Sequence, residues 1–403
     1  MERQIYLDYA AGAPLRPAAL AAYSEADAPA NPHAAHRPGR RARRVLDQAR
    51  EAVAAACGAA SAEVVFTAGG TEADGIALHG LYHARQAARP RPYVVVGATE
   101  HAAVSHNAEL LAQRAGARVV ELGVDRDGIV SLSQLAEHLA ARGEQTALVS
   151  VMAANNETGA IQPVDAVVEL AAAAGVPAHS DWAQAGGRLV LDFAASGLAA
   201  ASLSAHKLGG PVGAGALLVG RGVQIAPALG GGGQERGLRS GTADARGAAG
   251  FAAALADGGG AGPAQLEAML EPLDALVEDH PGLTSLTPPW AHLPGLRCLA
   301  VAGASGEALV YLLDQAGLAV SAGAACAQGA PGPSRALLAM GLDDAAAASA
   351  LRVSLGHASQ ADDVAALVAA LPRAIERAQA AAGTAPGRHR ARHARPGPAG
   401  GLA

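Results

Sequence analysis

Lys207 is the residue whose type most strongly suggests chemistry, because it is the only lysine in a chain that contains 29 arginines. A guanidinium stays protonated in proteins, whereas a desolvated lysine amine can lose its proton and act as a nucleophile. Formation of a Schiff base with a carbonyl compound requires such an amine. Lys207 is therefore a candidate Schiff-base residue, and a chance surface lysine is the alternative that its type leaves open.

An acidic residue stands in a similar setting about one strand and one helix earlier. Asp181 ends a short apolar run in HSDWAQAGG, and Lys207 follows the apolar run of SLSAHKLGG. The carboxyl ends of parallel strands open on one edge of a sheet, where ligands bind. Pyridoxal 5'-phosphate (PLP) needs a lysine and often an acid that keeps its pyridine nitrogen protonated. The pair predicts a PLP site, although Asp181 alone is equally typical of a helix cap.

Three further segments are expected to bring polar groups to that edge. EVVFTAGGTEADG predicts a strand, a glycine turn and a helix that begins near Thr71, and such a turn can bind phosphate through backbone amides at Gly70 and the Thr71 hydroxyl. His101 follows the apolar run YVVVG and could stack on a ring and move protons. Asn155 follows TALVSVM in the same way. A plain tight turn and solvated loop side chains are the alternatives for these segments taken singly.

The three cysteines differ in their surroundings. Cys57 ends an amphipathic helical pattern and Cys298 lies inside the apolar run LRCLAV, so both are predicted to pack in the core. Cys326 lies in SAGAACAQGAPGPS, whose small residues, Gly and Pro are typical of a loop. A thiol in a loop is better placed for nucleophilic chemistry than the other two, and an idle thiol is the alternative. The wide spacing of the cysteines fits no disulfide framework or zinc cluster, and no HExxH motif occurs, so no metal is predicted.

The composition is typical of a globular protein that acts on small molecules. The chain has 403 residues, of which 51% are hydrophobic, and a formal net charge of -6. This mild acidity gives no general attraction to nucleic acid or to an anionic membrane. No apolar stretch reaches spanning length, and MERQIYLDYAAGAP lacks the regions of a secretory signal. We therefore expect a cytoplasmic protein that binds neither membrane nor specific nucleic acid.

Apolar runs alternate with helical patterns through most of the chain, which predicts an α/β fold with a mostly parallel central sheet. The Gly-rich and Pro-containing stretch 254–264 predicts a domain boundary. Residues 14–256 are predicted to form a large PLP-binding domain. Residues 1–13 with 257–381 are predicted to form a smaller α+β domain that carries the cysteine loop, and 382–403 a disordered tail.

Together these segments resemble the cysteine desulfurase family, which belongs to the class V aminotransferases among the fold-type I PLP enzymes. The similarity runs along nearly the whole chain, in the family's order and with similar gaps. It rests on YLDYAAGAP, NPHAAH, FTAGGTEA, EHAAV, VSVMAANNETGAIQP, HSDWAQAGG, SLSAHKLGGPVGAGAL, GGGQERGLRSGT, SAGAACAQG and ALRVSLG. The resemblance implies the PLP-dependent transferase fold of type I, PLP as cofactor, L-cysteine as substrate and a homodimer.

The resemblance also implies a set of residues around the cofactor. Lys207 would carry the Schiff base, Asp181 would contact the pyridine nitrogen, and His101 would stack on the ring. The other contacts to the ring and the phosphate would come from Gln184, Asn155, Gly70, Thr71, Ser204 and His206. Thr242 would reach the phosphate bound in the neighbouring subunit, because the family's active sites lie at a homodimer interface.

The course of the reaction follows from the same resemblance. Arg352 and Asn155 would bind the substrate, with Arg352 as the bidentate partner of the cysteine carboxylate. Cys326 would attack the substrate sulfur, so that L-alanine is released and a persulfide stays on the enzyme. The loop from Cys326 to Ser334 resembles that of the longer-loop subgroup, which hands the persulfide to a sulfur-acceptor or scaffold protein, as in iron-sulfur cluster assembly.

Two other functions stay open at this point. A selenocysteine lyase, or another class V lyase or aminotransferase, would share the cofactor residues, and Cys326 favours sulfur chemistry over transamination. A PLP-fold scaffold without turnover is the second alternative. The presence of Lys207, Asp181, His101, Cys326 and Arg352 argues against it.

Overall fold

The computed structural model of the chain describes residues 4–87, 89–323 and 333–383. Its strands are β1 (Ile5–Tyr6), β2 (Val64–Thr67), β3 (Tyr93–Gly97), β4 (Arg118–Leu122), β5 (Thr146–Ser150), β6 (Ala178–Asp181), β7 (Ala200–Ser204), β8 (Gly215–Val219), β9 (Leu283–Ser285), β10 (Leu296–Val301), β11 (Leu318–Ala319), β12 (Ser321–Ala322) and β13 (Ala350–Ser354). Its helices are α1 (Pro17–Glu25), α2 (Arg37–Ala56), α3 (Gly70–Gln86), α4 (Ala102–Ala115), α5 (Leu132–Arg142), α6 (Val164–Ala173), α7 (Phe193–Ser196), α8 (Ala245–Ala256), α9 (Pro263–Asp279), α10 (Gly306–Asp314), α11 (Arg335–Ala339), α12 (Asp344–Ala348) and α13 (Ala361–Ala382). Short 3-10 helices lie at Ser61–Glu63, Gly143–Gln145, Ala205–Lys207 and Glu235–Gly237.

Seven strands form the largest sheet, in the order β2–β8–β7–β6–β5–β3–β4. Strand β8 is antiparallel to both of its neighbours, and every pair from β7 to β4 is parallel. The strands are short, and all residues of β2, β3 and β5 to β8 are buried. Such complete burial is typical of a parallel sheet whose crossover helices cover both faces. The predicted α/β fold with a mostly parallel central sheet is confirmed.

Side chains of successive residues alternate between the two faces of this sheet. On one face, Val64, Phe66 and Val95 belong to a core that also contains residues of α2, α6 and α8. On the other face, Val65 and Val94 pack with residues of α3 and α4. The alternation follows from the two-residue period of a strand. Because apolar side chains fill both faces, polar groups are left to the edges of the sheet. None of the helices in the described ranges is long and apolar enough to span a membrane.

A second core surrounds a four-stranded antiparallel sheet with the order β12–β13–β10–β9. Helices α9, α10 and α13 contribute most of its leucines. Leu7, near the start of the chain, belongs to the same core, and β1 pairs in parallel with β11. The C-terminal part of the chain thus forms a smaller α+β region together with the first few residues. The predicted domain bounds stay a prediction.

The segment after β1 connects the two regions. Asp8 forms an isolated parallel bridge with Ser354 of β13, and the Ala10 amide donates to the Ser354 hydroxyl at 2.9 Å. The Ala13 amide donates to the carbonyl of His206 at 2.8 Å, at the end of the large sheet. We call residues 8–13 the N-terminal strap, because they run from the small sheet to the carboxyl ends of the large sheet's strands.

Candidate active site

Two neighbouring strands of the large sheet end in polar residues. Asp181 is the last residue of β6 and Ser204 the last of β7, and these strands pair in parallel with Asp181 opposite Ser202. After Ser204 the chain turns through a short 3-10 helix that ends at Lys207. Because parallel strands end at one edge of a sheet, Asp181 and Lys207 come together there.

A pocket of about 690 Å³ opens at this edge. Of the twelve residues predicted for the site, the pocket is lined by Gly70, Thr71, His101, Asp181, Gln184, Ser204, His206 and Lys207. Its volume lies in the range of small-molecule sites, roughly 300–1,000 Å³. The fold therefore gathers an amine, a carboxyl group, hydroxyls, imidazoles and a glycine turn on one surface.

The turn between β2 and α3 forms one wall of the pocket. Gly69 has a φ of 148°, which side-chain-bearing residues rarely adopt, and α3 begins directly after it. A Cβ atom on Gly70 would lie 3.3 Å from the Cβ of Ser204, so glycine permits the close approach of this turn to β7. The unpaired amides of the first turn of α3 and the helix dipole favour an anion at this wall.

Asp181 is almost fully buried, with 7% of its surface exposed. Its Oδ1 accepts a hydrogen bond from the Ala183 amide at 2.8 Å. Burial raises the pKa of Asp181, while the hydrogen bond from Ala183 and the charges of His101 and Lys207 act in the opposite direction. A buried carboxylate is stable in its charged form only beside positive charge or hydrogen-bond donors. A protonated ring nitrogen of a ligand would supply both.

A buried polar layer lies behind this wall of the pocket. His179 of β6 hydrogen-bonds the Ser150 hydroxyl through Nδ1 and the Ser202 hydroxyl through Nε2, both at 2.9 Å. Its Nε2 also lies 3.6 Å from Oδ1 of Asp74, which lines the pocket. Burial lowers the pKa of His179 to about 3 and raises the pKa of Asp74 well above its ordinary value. Burial therefore favours the neutral form of both the acid and the imidazole in this layer.

Two histidines of the pocket have defined partners. The Nδ1 atom of His101, at the start of α4, accepts a hydrogen bond from the Ala103 amide at 3.1 Å. A neutral His101 ring therefore carries its proton on Nε2. His206 Nδ1 lies 3.0 Å from the Ser204 hydroxyl, and burial, together with the charge of Lys207, lowers the pKa of His206. His206 therefore favours its neutral form beside the Lys207 amine.

The N-terminal strap contacts two of the predicted site residues through its backbone. Lys207 Nζ donates to the carbonyl oxygens of Ala10 and Ala11 at 2.8 and 2.9 Å. Gln184 Nε2 donates to the same Ala10 carbonyl at 2.9 Å. Sequence reasoning missed these contacts, because a backbone carbonyl has no signature in residue type. Only the motif YLDYAAGAP, which carries part of the family resemblance, pointed to this segment.

Asn155 and Arg352, the predicted substrate-binding residues, lie behind the pocket wall and not on it. The Asn155 side-chain oxygen accepts from the amides of Glu157 and Thr158 at 2.8 and 2.9 Å, so it holds a turn together. Arg352 is fully buried; its Nη2 donates to Asp8 at 2.6 Å and its Nη1 to the Asn156 carbonyl at 2.8 Å. Asn156 lines the pocket, which places Arg352 directly behind this part of the wall.

Of the remaining predicted site residues, Thr242 does not line this pocket. Thr242 is exposed and lines a smaller pocket that shares Gly213 with the main one. Cys326 lies outside the described residues. Cys57 and Cys298 have no exposed surface, and burial raises the pKa of each thiol to about 12. Neither of these two thiols is therefore available as a nucleophile.

The residues of the pocket fit PLP. The buried carboxyl of Asp181 can pair with a protonated pyridine nitrogen, and Lys207 offers a primary amine for an aldehyde. The β2–α3 turn leaves space for a phosphate. A side chain at Gly70 would reduce this space, because its Cβ would approach Ser204. The donor set thus matches the three reactive or charged parts of the cofactor.

Comparison with known proteins agrees with this chemistry. The family model for aminotransferases of class V matches residues 5–367. An IscS-like cysteine desulfurase of Mycobacterium tuberculosis is 44% identical over 370 residues, which cover 89% of this chain and 93% of that protein. A cysteine desulfurase of Cereibacter sphaeroides is 40% identical, over 90% of this chain and 93% of that protein. Among solved structures, a NifS-like protein from Rickettsia africae has a TM-score of 0.82 at 28% identity, over 93% of this chain and 100% of that chain.

Proposed function

We propose, because the chain belongs to the class V aminotransferase family and to its cysteine desulfurase group, that this pocket binds PLP and that the protein removes sulfur from L-cysteine. L-Alanine is the second product. One observation carries the proposal: the only lysine of the chain lies in the same pocket as a buried acid and the N-terminus of α3. These three groups match the aldehyde, the pyridine nitrogen and the phosphate of PLP.

Each part of the cofactor has proposed partners in the pocket. Asp181 holds the proton on the pyridine nitrogen, and the Gln184 amide contacts the phenolic oxygen. The phosphate is held by Gly70, Thr71, Ser204 and His206, with the first-turn amides of α3. When bound, PLP draws electrons from the α-carbon of an attached amino acid. The pocket residues orient the substrate for that chemistry.

Two groups are placed to hold or move protons. The Ala10 and Ala11 carbonyls accept hydrogen bonds from Lys207 Nζ at 2.8 and 2.9 Å, so they fix the position of the amine. Lys207 is proposed to lose a proton when it acts as a nucleophile. His101, with its ring proton on Nε2, is the second group and is proposed to stack on the ring.

Cys326 is the proposed sulfur acceptor. The exclusion of Cys57 and Cys298 supports this choice, because both are fully buried with thiol pKa values of about 12. In the proposed step, the Cys326 thiolate forms an S–S bond with the substrate sulfur while the substrate C–S bond breaks. The electron pair of the broken bond and a proton complete the methyl group of L-alanine, and the persulfide stays on Cys326.

The proposal extends to assembly and partners. Thr242 is exposed and is proposed to contact the cofactor phosphate of a second subunit, in a homodimer. A sulfur-acceptor or scaffold protein would take the persulfide from Cys326. The protein is proposed to be cytoplasmic.

Reduction with borohydride tests the cofactor assignment directly. In protein supplied with PLP, borohydride should fix the cofactor on Lys207, and peptide mass spectrometry should find it there, because the chain has no other lysine. Lys207→Arg keeps the positive charge but cannot form a Schiff base, so the fixed cofactor should disappear while the melting temperature of the variant without PLP stays near wild type. Unmodified Lys207 in reduced wild-type protein would refute the assignment.

A further inference from the structure

The pairing of Arg352 points to a function for Asp8 of the N-terminal strap. Arg352 is fully buried, and its Nη2 donates to Oδ1 of Asp8 at 2.6 Å. The Asp8 side chain retains 17% exposure, so the acid is more accessible than the arginine it binds. Arg352 also donates to the carbonyl of Asn156, whose residue lines the pocket. A single residue, Asn156, would therefore separate a small anion in the pocket from the Asp8–Arg352 pair.

Positive charge exceeds negative charge around Arg352. The Nε of Arg352 and the Nη1 of Arg188 are buried, and neither has a hydrogen-bond partner among the described residues. Burial, with the nearby charge of Arg352, lowers the pKa of Arg188 to about 10, so Arg188 is still charged at pH 7. Glu157 is the other acid close to Arg352, but burial raises its pKa to about 7, so it offers only part of a charge. Asp8 is the main compensating carboxylate.

We propose that Asp8 is a positioning residue that competes with substrate for Arg352 and so sets the affinity of the site for carboxylates. Its carboxylate holds Arg352 while no substrate is bound, and the α-carboxylate of an amino acid takes its place on the guanidinium. The inference rests on the proposed function and on the predicted role of Arg352 in binding the substrate carboxylate. Exchange of one carboxylate for another keeps the buried arginine paired throughout, which avoids the large cost of an unpaired buried charge.

A competing internal carboxylate has a measurable consequence. The substrate carboxylate must displace Asp8, so Asp8 weakens the binding of every small carboxylate at this position. Asp8→Asn keeps the shape of the side chain and one acceptor oxygen but removes the charge. The guanidinium groups of Arg188 and Arg352 then have less negative charge beside them, so the affinity of the site for a carboxylate should rise.

Calorimetric titration of the PLP-loaded protein with L-alanine and with propionate tests the inference. For Asp8→Asn, we expect both dissociation constants to be about tenfold lower than in wild type, since a charged hydrogen bond no longer competes. Asp274→Asn is the matched control, because Asp274 pairs with Arg297 at 2.8 Å in the small α+β region and is not a pocket residue. Its dissociation constants should equal those of wild type.

Other outcomes separate this inference from the proposed function. An unchanged or higher dissociation constant in Asp8→Asn would overturn the inference, because Asp8 would then orient Arg352 instead of competing for it. If Arg352→Gln left the affinity for L-alanine unchanged, the proposed role of Arg352 itself would fail. If Arg352→Gln weakened binding and Asp8→Asn did not tighten it, only the inference about Asp8 would fail. Should Asp8→Asn not fold, Asp8→Ser gives the same comparison.

Discussion

At the scale of single residues, the chemistry of the pocket depends on which buried acid is charged. Asp74, Glu100 and Asp181 all have raised pKa values, first of all because they are buried, and the Asp181 charge adds to the effect on the other two. Asp181 alone among the three has both His101 and Lys207 as stabilising charges. Like charges at close range cannot all be ionised. Of the three acids, Asp181 is therefore the one whose charged form is most stabilised by its neighbours.

His179 makes the stability of the protein sensitive to acid. Burial lowers its pKa from 6.5 to about 3, so both the folded and the unfolded chain hold a neutral His179 above pH 6.5. Below that pH, His179 binds a proton in the unfolded chain but not in the folded chain, so the stability of the folded state falls as pH falls. Between pH 6.5 and 5 the loss from this residue should be about 2 kcal/mol.

His179→Gln removes this proton while its amide can still bond Ser150 and Ser202. Urea unfolding at pH 6.5 and 5 should therefore show a smaller acid-induced loss of stability in the variant than in wild type, by about 2 kcal/mol. The exposed His33 serves as control, since His33→Asn leaves the buried layer intact and should lose as much stability as wild type. An equal loss in His179→Gln and wild type would mean that His179 is not buried in its neutral form.

Residue type predicts chemical capacity, but it does not predict long-range partners. The scarcity of lysine drew attention to Lys207, which lies in the pocket. Asp8 and Arg352 are 344 residues apart, and their pairing arises only when β13 and the strap come together. Asn155 is predicted to contact the ring and the substrate, and its side-chain oxygen also holds the 155–158 turn, which no local pattern indicates.

At the scale of elements, the β2–α3 turn is the part of the fold that we propose to bind the phosphate. The apolar runs in the sequence were sufficient to predict β3, β5 and β8, because complete burial of short strands needs unbroken apolar stretches. The close approach of this turn to Ser204 could not be predicted, since it depends on how β2 and β7 flank β8 in the sheet. Gly69 and Gly70 are the only indication of this close approach in the sequence.

Gly70→Ala tests the turn. The new Cβ would lie 3.3 Å from the Ser204 Cβ, a tight contact that should push the turn away from the phosphate position. We expect PLP to dissociate at least tenfold more readily, measured by fluorescence titration, with little change in the melting temperature of protein without PLP. Gly123→Ala is the control, because its Cβ would also lie 3.3 Å from a neighbour, the flexible Gln134 side chain, and Gly123 does not line the pocket. Equal PLP affinity in Gly70→Ala and wild type would contradict phosphate binding here.

At the scale of the whole molecule, we expect a homodimer in which each subunit completes the other's site. Sedimentation of the PLP-loaded protein should give the mass of two chains. Thr242→Ala should weaken PLP binding about tenfold through loss of one hydrogen bond to a charged group. Thr284→Ala, an exposed threonine of β9, should bind PLP like wild type. A monomer that retains PLP on dilution would contradict the shared site.

The proposed transfer of sulfur to Cys326 is supported by the family and by the burial of the other two thiols. Cys326→Ala should therefore separate cofactor binding from catalysis. The variant should still bind PLP on Lys207, because every proposed cofactor contact remains. Its production of sulfide and L-alanine should fall to background. Cys57→Ala and Cys298→Ala should keep the activity and lose only stability, through the small cavities that they leave.

The position of the transferred sulfur distinguishes Cys326 from the other two cysteines. Wild-type protein is mixed with L-cysteine, trapped with an alkylating reagent that preserves persulfides, digested and analysed by peptide mass spectrometry. We predict one extra sulfur atom on the peptide that contains Cys326 and none on the peptides of Cys57 and Cys298. An extra sulfur on Cys57 or Cys298, or a persulfide-free Cys326 in protein that releases L-alanine, would contradict the mechanism.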